Sequence, residues 1–206
     1  MKKYLAALSA FAVAGIAPLA LAVSSTDLTV TGTITPNACS PSLSGSGNVD
    51  YGKISAKDLN PTTSTSLEPR TVNLSVNCDA ATRFALQGID NRAGSSDLDT
   101  AFGLGKINDS QNIGRYLLGM SSAVADGLSV QAIKSEDGQT GWAGHLFWTP
   151  GYYVSVADKA DVSQPILVKD LDMELVIGAS ISPANNLDLS NEVSIDGAAT
   201  LEMKYL

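Results

Sequence analysis

The chain has few of the residues from which metal centres and catalytic sites are most often built. It contains one His and two Cys among 206 residues. A zinc site with the usual three or four nitrogen and sulfur ligands would therefore need carboxylates to complete it. The lone His145 stands in no recognisable nucleophilic triad, and no Gly-x-Ser-x-Gly motif is present. We predict that the chain is not an enzyme and binds no metal or cofactor.

Basic residues are scarce as well. Thirteen Lys and Arg face 21 Asp and Glu, which gives a formal net charge of −8. This balance excludes nucleic acid or an anionic membrane surface as the main partner. Apolar residues make up 44% of the chain and charged residues only 17%, a composition typical of folded proteins. The length suits one domain with a full hydrophobic core.

The first 22 residues predict a secretory signal peptide. Two lysines precede an uncharged apolar stretch that closes on Ala20-Leu21-Ala22, the small-x-small pattern that a signal peptidase requires. A membrane anchor is the alternative, but Gly15 and Pro18 interrupt the stretch. We therefore predict an exported domain over residues 23–206, in which no apolar run is long enough to cross a membrane.

Export changes the interpretation of the two cysteines. In an oxidising compartment Cys39 and Cys78 most simply form one disulfide. A redox role would favour a Cys-x-x-Cys pair, which the sequence lacks. Cys78 also ends an alternating segment, residues 71–78, and shares its apolar face with Val72, Leu74 and Val76. Cys78 is therefore predicted to face the core, where a buried disulfide belongs.

The mature chain alternates between apolar and polar residues, the period that predicts β-strands rather than helices. Many short strands separated by turn residues indicate an antiparallel sandwich or barrel, and the Gly- and Asp-rich stretch 88–112 predicts an excursion from the sheets. The predicted strands cover residues 27–34, 49–54, 71–78, 84–87, 116–120, 128–133, 146–148, 152–156, 166–168, 173–181 and 198–206.

The last of these strands is amphipathic to the end of the sequence. Ala199, Leu201, Met203 and Tyr205 share one face, with polar residues opposite. Chain ends are usually poorly ordered unless something holds them. The pattern therefore predicts that another segment pairs with this strand.

Five aromatic residues crowd the stretch from 141 to 153. Pro150-Gly151 suits the two central positions of a type II turn, which predicts a hairpin between 146–148 and 152–156. Trp142, Trp148 and Tyr152 would then form a stacking platform for a glycan, or else pack in the core, which aromatic residues favour in any sheet. We prefer the core interpretation.

Four features resemble the pilins of chaperone–usher fimbriae. An early strand, Thr31-Gly32-Thr33-Ile34, leads to Cys39, and a segment Val49-x-Tyr51-Gly52-x-Ile54 follows. The second cysteine ends an alternating strand, and the terminal strand carries a penultimate Tyr205.

The chain is similar, more closely, to an uncharacterised family of pilin-like proteins encoded in fimbrial operons of Gram-negative bacteria. The shared residues are the opening Gly32-Thr33-Ile34-Thr35-Pro36-x-Ala38-Cys39, the stretch Asp90-Asn91-Arg92-Ala93-Gly94, and an ending like Asp196-Gly197-Ala198-Ala199-Thr200-Leu201. The resemblance implies export through the periplasm to the cell surface.

The resemblance further implies an immunoglobulin-like sandwich that lacks its last strand and leaves a hydrophobic groove open. A periplasmic chaperone would fill the groove first, and the N-terminal extension of a neighbouring fimbrial subunit would replace it at an outer-membrane usher. The function implied is that of a structural pilus subunit that contributes to surface adhesion. The strand that lines the groove and contacts the chaperone would comprise Ala199, Leu201, Met203, Tyr205 and Leu206.

The sequence departs from the pilin pattern at both ends. After the predicted cleavage, only about five residues, from Val23 to about Asp27, precede the first strand. Either Leu28, Val30, Gly32 and Ile34 double as the donor strand and the first strand of the domain starts later, or the donor is stunted, as suits a terminal or minor subunit. Gly197 also lies nearer the end than the glycine that pilins usually carry. A glycan-binding adhesin or tip subunit, or a self-complete secreted binding module, is the alternative.

Overall fold

The structure is a computed structural model that describes residues 28–32 and 38–206. The chain divides into two units, Met1–Ile34 and Thr35–Leu206. The predicted signal peptide lies outside the described residues. In the first unit, residues 28–32 form no regular secondary structure, so the strand predicted over 27–34 is not found where the structure describes it.

The second unit is built from short and long β-strands. The described residues contain no α-helix, and none of their helical segments has the length and apolar character needed to cross a membrane. Three short 3-10 segments cover Ser44–Gly47, Ala56–Asp58 and Ala184–Asn186. The strands are β1 Cys39–Leu43, β2 Thr65–Ser66, β3 Arg70–Thr82, β4 Phe84–Asp90, β5 Phe102–Gly103, β6 Lys106–Ile107, β7 Gln111–Asn112, β8 Gly114–Ala125, β9 Leu128–Ser129, β10 Gln131–Ser135, β11 Ala143–Gly144, β12 Phe147–Trp148, β13 Tyr153–Ala157, β14 Val168–Ile181 and β15 Ala199–Tyr205.

The strands form a sandwich of two antiparallel sheets. The first sheet has the order β1-β3-β14-β8-β12, with β2 beside β14 and with β5 and β9 beside β8. The second sheet has the order β11-β10-β13-β4-β15, and β6 pairs with β7 separately. Every strand pairing is antiparallel. The predicted all-β antiparallel class is therefore confirmed.

The core lies between the two sheets. Alternation along β3 places Val72, Leu74, Val76 and Cys78 inward, and all four are buried, as predicted. Each fully buried side chain of this size contributes about 1.5–3 kcal/mol. Cys39 stands directly opposite Cys78 in the β1–β3 register, and the predicted disulfide joins them with an S–S distance of 2.02 Å.

The strand predicted over 49–54 does not form. Gly52 adopts a positive φ of 65°, and its N–H donates to the Asp50 Oδ1 at 2.7 Å, which closes a local turn. This turn removes the extended backbone that a ladder needs. The alternation still separates inward from outward residues: Val49 and Tyr51 pack against the core, while Asp50 and Gly52 are exposed.

The turn predicted at Pro150-Gly151 is present, but the prediction that the two flanking strands pair as a hairpin is wrong. The Tyr152 N–H donates to the Thr149 carbonyl at 3.1 Å, and Gly151 has a φ of 83°, as a type II turn requires. However, β12 pairs with β8 in the first sheet, whereas β13 pairs with β10 and β4 in the second. The turn therefore carries the chain from one sheet to the other.

The reason is the fit of Trp148 between the sheets. Its side chain is fully buried, and its indole Nε1 donates to the Tyr152 carbonyl at 3.1 Å. A Cβ on Gly88 would lie only 2.7 Å from that nitrogen, so the ring needs the glycine opposite it.

Candidate strand-binding groove

The C-terminal strand β15 has a neighbour on one side only. It pairs with β4 along its whole length, and no second strand of the described chain pairs with it. At its two ends the Asn91 N–H donates to the Ala198 carbonyl and the Leu206 N–H donates to the Arg83 carbonyl, both at 3.0 Å. These two bonds show which residues of β15 direct their backbone N–H and C=O groups toward β4.

Antiparallel pairing alternates between hydrogen-bonded and non-hydrogen-bonded residues. Since 198 and 206 belong to hydrogen-bonded pairs, the backbone groups of 200, 202 and 204 also point toward β4. The N–H and C=O groups of the intervening residues therefore point to the open edge. These residues are Ala199, Leu201, Met203 and Tyr205, the four that the sequence places on one face.

The side chains of the same residues turn toward the interior but are incompletely covered. Leu201 and Met203 are half-buried against the core, and Tyr205 remains 44% exposed. Their partners on β4, Phe84 and Leu86, are 3% and 2% exposed. The edge of the second sheet is thus apolar, inward-facing and open.

An apolar cavity of about 350 Å³ lies beside this edge. Its wall combines residues of both sheets, and none of the residues that the structure places in it carries a charge. The apolar side chains of the wall include Leu43, Val72, Leu118, Leu175, Ile177 and Leu201.

A second cavity, of about 620 Å³, adjoins the first. The two share Val49, Tyr51 and Ile195. Two segments without strands, 49–59 and 187–195, supply much of its wall. Together the cavities form the groove discussed below, which we call the β15 groove.

One end of β15 is tied to the disulfide. The Tyr205 hydroxyl accepts a hydrogen bond from the backbone N–H of Cys39 at 2.9 Å. Because Cys39 begins β1 and Tyr205 ends β15, this bond joins the edge strands of the two sheets. Leu43 and Leu201 then line the same cavity further along.

The other end of β15 is held by residues 91 and 92. The Arg92 guanidinium donates from Nε to the backbone carbonyl of Asp196 at 3.0 Å and from Nη2 to its carboxylate at 2.7 Å. The Asn91 amide donates to the Thr200 hydroxyl at 3.0 Å. The stretches Asp90–Gly94 and Asp196–Leu201, more than 100 residues apart in sequence, thus meet in the fold.

Tyr116 forms the floor of the groove near Gly197. Its ring stacks on Phe102 with the centroids 5.2 Å apart. Burial, and secondarily the negative charge of Asp90, raise the pKa of the Tyr116 hydroxyl well above its usual value. A Cβ on Gly197 would come within 3.1 Å of the ring, so a larger residue here would have to displace its neighbours.

The residues considered for a glycan site are mostly inaccessible. Trp148 and Trp142 are 0% and 8% exposed, so neither indole offers a free face for stacking. Tyr152 is half-buried, and the Lys134 ammonium lies 4.8 Å from its ring centre. Burial lowers the pKa of Lys134. Core packing, the interpretation preferred from the sequence, describes both tryptophans.

The predicted donor residues are described only in part. Leu28 and Val30 are 89% and 87% exposed, and Gly32 has no atom near the position of a Cβ. Ile34 lies outside the described residues. Within the described part of the chain, no group of three His, Cys, Asp or Glu side chains is placed to hold a metal ion.

Sequence reasoning missed two elements of the groove. The second cavity is lined by irregular segments whose spacing gives no periodic signal. The contact between Arg92 and Asp196 joins two stretches that the sequence shows only as separate motifs. The only feature that these two stretches share in the sequence is composition, since each has a charged residue next to or near a glycine or asparagine.

The chain matches, over residues 28–117, the model of a family described as "Protein of unknown function (DUF1120)". It is 25% identical to Protein GltF of Escherichia coli strain K12 over an alignment of 241 positions, which covers 96% of this chain and 95% of that protein. It is 26% identical to Uncharacterized protein YhcF of the same strain over an alignment of 234 positions, which covers 94% of this chain and 97% of that protein.

Proposed function

We propose that this protein is a structural subunit of a chaperone–usher fimbria, completed by a β-strand from another protein. The observation that carries the proposal is the open edge of β15 beside an apolar groove. An unpaired edge above an apolar cavity is a site for strand addition, in which backbone hydrogen bonds give affinity and alternate side chains fill the cavity.

The occupant that fits this groove is an extended strand with apolar residues at every second position. The open edge offers the backbone groups of four residues, Ala199, Leu201, Met203 and Tyr205, and only a strand can pair with all of them. The wall of the first cavity, directly beside β15, carries no charged side chain among the described residues, so the side chains inserted there must be apolar.

Residues 28–34 of another copy, or of a related subunit, supply such a strand. Leu28, Val30 and Ile34 alternate with threonines, and Gly32 interrupts the apolar series. Leu28 and Val30 are almost fully exposed, so they are available to an acceptor.

A periplasmic chaperone occupies the groove before assembly, and the donor strand replaces it at an outer-membrane usher. The resemblance to chaperone–usher pilins supports this part of the proposal, together with the amphipathic strand β15 that ends at Tyr205. On this account the protein acts by assembly and not by catalysis, and it reaches the surface of a Gram-negative bacterium by export.

The proposal is tested by adding the strand as a peptide. The full chain is refolded with its disulfide formed, alone or with a peptide of residues 23–36, and its solubility and melting temperature are measured. We expect the chain alone to aggregate or melt early, and the peptide to restore a stable monomer. A peptide of the same composition in scrambled order is the control.

Replacing Leu201 by Asp should abolish binding of the peptide, because it places a carboxylate in an apolar cavity. Leu128→Asp is the matched control, since Leu128 is 72% exposed and does not line the groove. A chain that is fully stable alone and ignores the peptide contradicts the proposal. It would favour a self-complete secreted binding module instead.

A further inference from the structure

An edge strand with one neighbour needs other contacts to stay in register. β15 follows a segment, residues 182–198, that contains only one short 3-10 turn, and its open side has no partner within the described chain. Strands in this position are prone to local opening, because few interactions must break to release them. The structure shows how the start of β15 is held.

Arg92 holds that start with a fork of hydrogen bonds. Its Nε reaches both the backbone carbonyl and the carboxylate of Asp196 at 3.0 Å, and its Nη2 reaches the same carboxylate at 2.7 Å. The Asp196 N–H in turn donates to the Leu104 carbonyl at 3.0 Å. One guanidinium therefore fixes both the main chain and the side chain of Asp196.

Asn91 continues the contact into the strand. Its backbone N–H donates to the Ala198 carbonyl at 3.0 Å, and its side-chain amide donates to the Thr200 hydroxyl at 3.0 Å. The first residues of β15 are thereby set against the end of β4 before the first ladder pair, Ala199 with Asp90. A shift by one residue would break all of these bonds and turn the apolar face of the strand outward.

We propose that Asn91, Arg92 and Asp196 form a latch that keeps β15 in register at the open groove until a partner strand binds. This inference rests on the proposed function, since it assigns Arg92 and Asp196 as positioning residues for strand addition. The side chains are 37% and 61% exposed, so the ion pair adds little to global stability. Its effect is local, on the edge strand.

The arginine fork matters more than its charge. A lysine at position 92 keeps the charge but has no planar fork to reach a carbonyl and a carboxylate together. We therefore expect Arg92→Lys to lose most of the latch, and Arg92→Gln to lose all of it. Asp196→Asn removes the ion pair and leaves the bond to the Asp196 carbonyl, so its effect should be intermediate.

The latch is tested by hydrogen exchange of the full chain, freshly refolded at low concentration and read at single amides. We expect the amides of 200, 202 and 204, which bond to β4, to exchange about fivefold faster in Arg92→Gln than in the natural chain. The melting temperature should change by no more than about 2 °C. The association rate of the 23–36 peptide with the refolded chain should fall by about the same fivefold.

Arg115→Gln is the matched control. Arg115 forms an ion pair with Asp97 at 2.5 Å, with the side chains 23% and 49% exposed, and neither residue belongs to β4 or β15. If this variant accelerates exchange in β15 as much as Arg92→Gln does, the effect is not specific to the latch and the inference is overturned. Unchanged exchange in Arg92→Gln overturns it equally.

The two proposals fail in different ways. If the natural chain does not bind the peptide at all, the proposed function fails, while the exchange rates of 200, 202 and 204 still decide whether the latch exists. If the peptide binds but exchange is the same in every variant, the latch fails and the proposed function stands.

Discussion

The strands β14 and β15 carry the same alternation of apolar and polar residues, yet they are covered very differently. Along β14 the inward residues Leu171, Met173, Leu175 and Ile177 are between 2% and 8% exposed. Along β15 the inward Leu201 and Met203 are only half-buried, and Tyr205 is 44% exposed. The two strands therefore differ in burial and not in pattern.

The cause is the number of neighbours. β14 pairs with β3 on one side and β8 on the other, whereas β15 pairs with β4 alone. Side chains on a sheet are covered chiefly by residues of adjacent strands and of the facing sheet. The comparison teaches that alternation specifies which face is inward, while the neighbours decide whether that face is sealed.

The largest expected effect is a difference in stability between the same substitution on β14 and on β15. Leu175→Asp on β14 should lower the free energy of unfolding by more than about 4 kcal/mol, because it buries an unpaired carboxylate. Leu201→Asp on β15 should cost no more than about 2 kcal/mol, since water reaches its side chain. Urea denaturation followed by tryptophan fluorescence measures both. Equal losses would show that β15 is already sealed.

The disulfide should come next in size. Cys39→Ser or Cys78→Ser removes the bridge between β1 and β3, and β3 is a neighbour of β14. Without the bridge, the unfolded chain is no longer constrained by a closed loop of 39 residues. We expect a loss of about 2–5 kcal/mol in the free energy of unfolding under oxidising conditions. The natural chain in reducing buffer should approach the variants. If the natural chain and the variants have the same melting temperature in oxidising and in reducing buffer, the bridge does not stabilise the fold.

Two glycines sharpen the comparison at a smaller scale. Gly197 precedes β15, and a Cβ there would meet the Leu104 Cδ2 at 2.9 Å and the Tyr116 ring at 3.1 Å. Gly197→Ala should therefore destabilise the chain by about 1–3 kcal/mol. Gly178→Ala on β14 is the control, because no heavy atom lies within 4 Å of its Cβ position. A thermal melt in which the two variants coincide would show that Gly197 is not needed for packing.

The smallest expected effect concerns the ion pair across the second cavity. Lys53 and Glu192 lie 3.8 Å apart with their side chains 92% and 84% exposed. Exposed pairs of this kind contribute little, so Glu192→Gln should change the free energy of unfolding by less than about 0.5 kcal/mol. A larger loss by urea denaturation would mean that the segments 49–59 and 187–195 depend on this contact.

The sequence predicted the inward faces better than the connections. Val72 to Cys78 and Ala199 to Tyr205 are strands because strict alternation suits a pleated sheet, and the disulfide follows from two cysteines in an exported chain. Two segments of similar alternation behave otherwise. Gly52 turns the chain at 49–54, and residues 28–32 form no strand in the described chain.

The alternation of apolar and polar residues does not predict which strands pair with each other. β12 and β13 are separated by a good turn yet join different sheets, because the fit of Trp148 between the sheets is a long-range property. The latch has the same character, since Arg92 and Asp196 meet only once β4 and β15 are paired. The open side of β15 likewise appears only when every neighbour is known.

The most direct test of the account is hydrogen exchange along β15, read at single amides in the free chain and with the 23–36 peptide. We expect the amides of 200, 202 and 204 to be protected in both states, because they bond to β4. The amides of 199, 201, 203 and 205 should exchange nearly as fast as in an unstructured peptide until the strand binds, and then slow by about a hundredfold or more. Protection of all seven amides in the free chain would contradict the account.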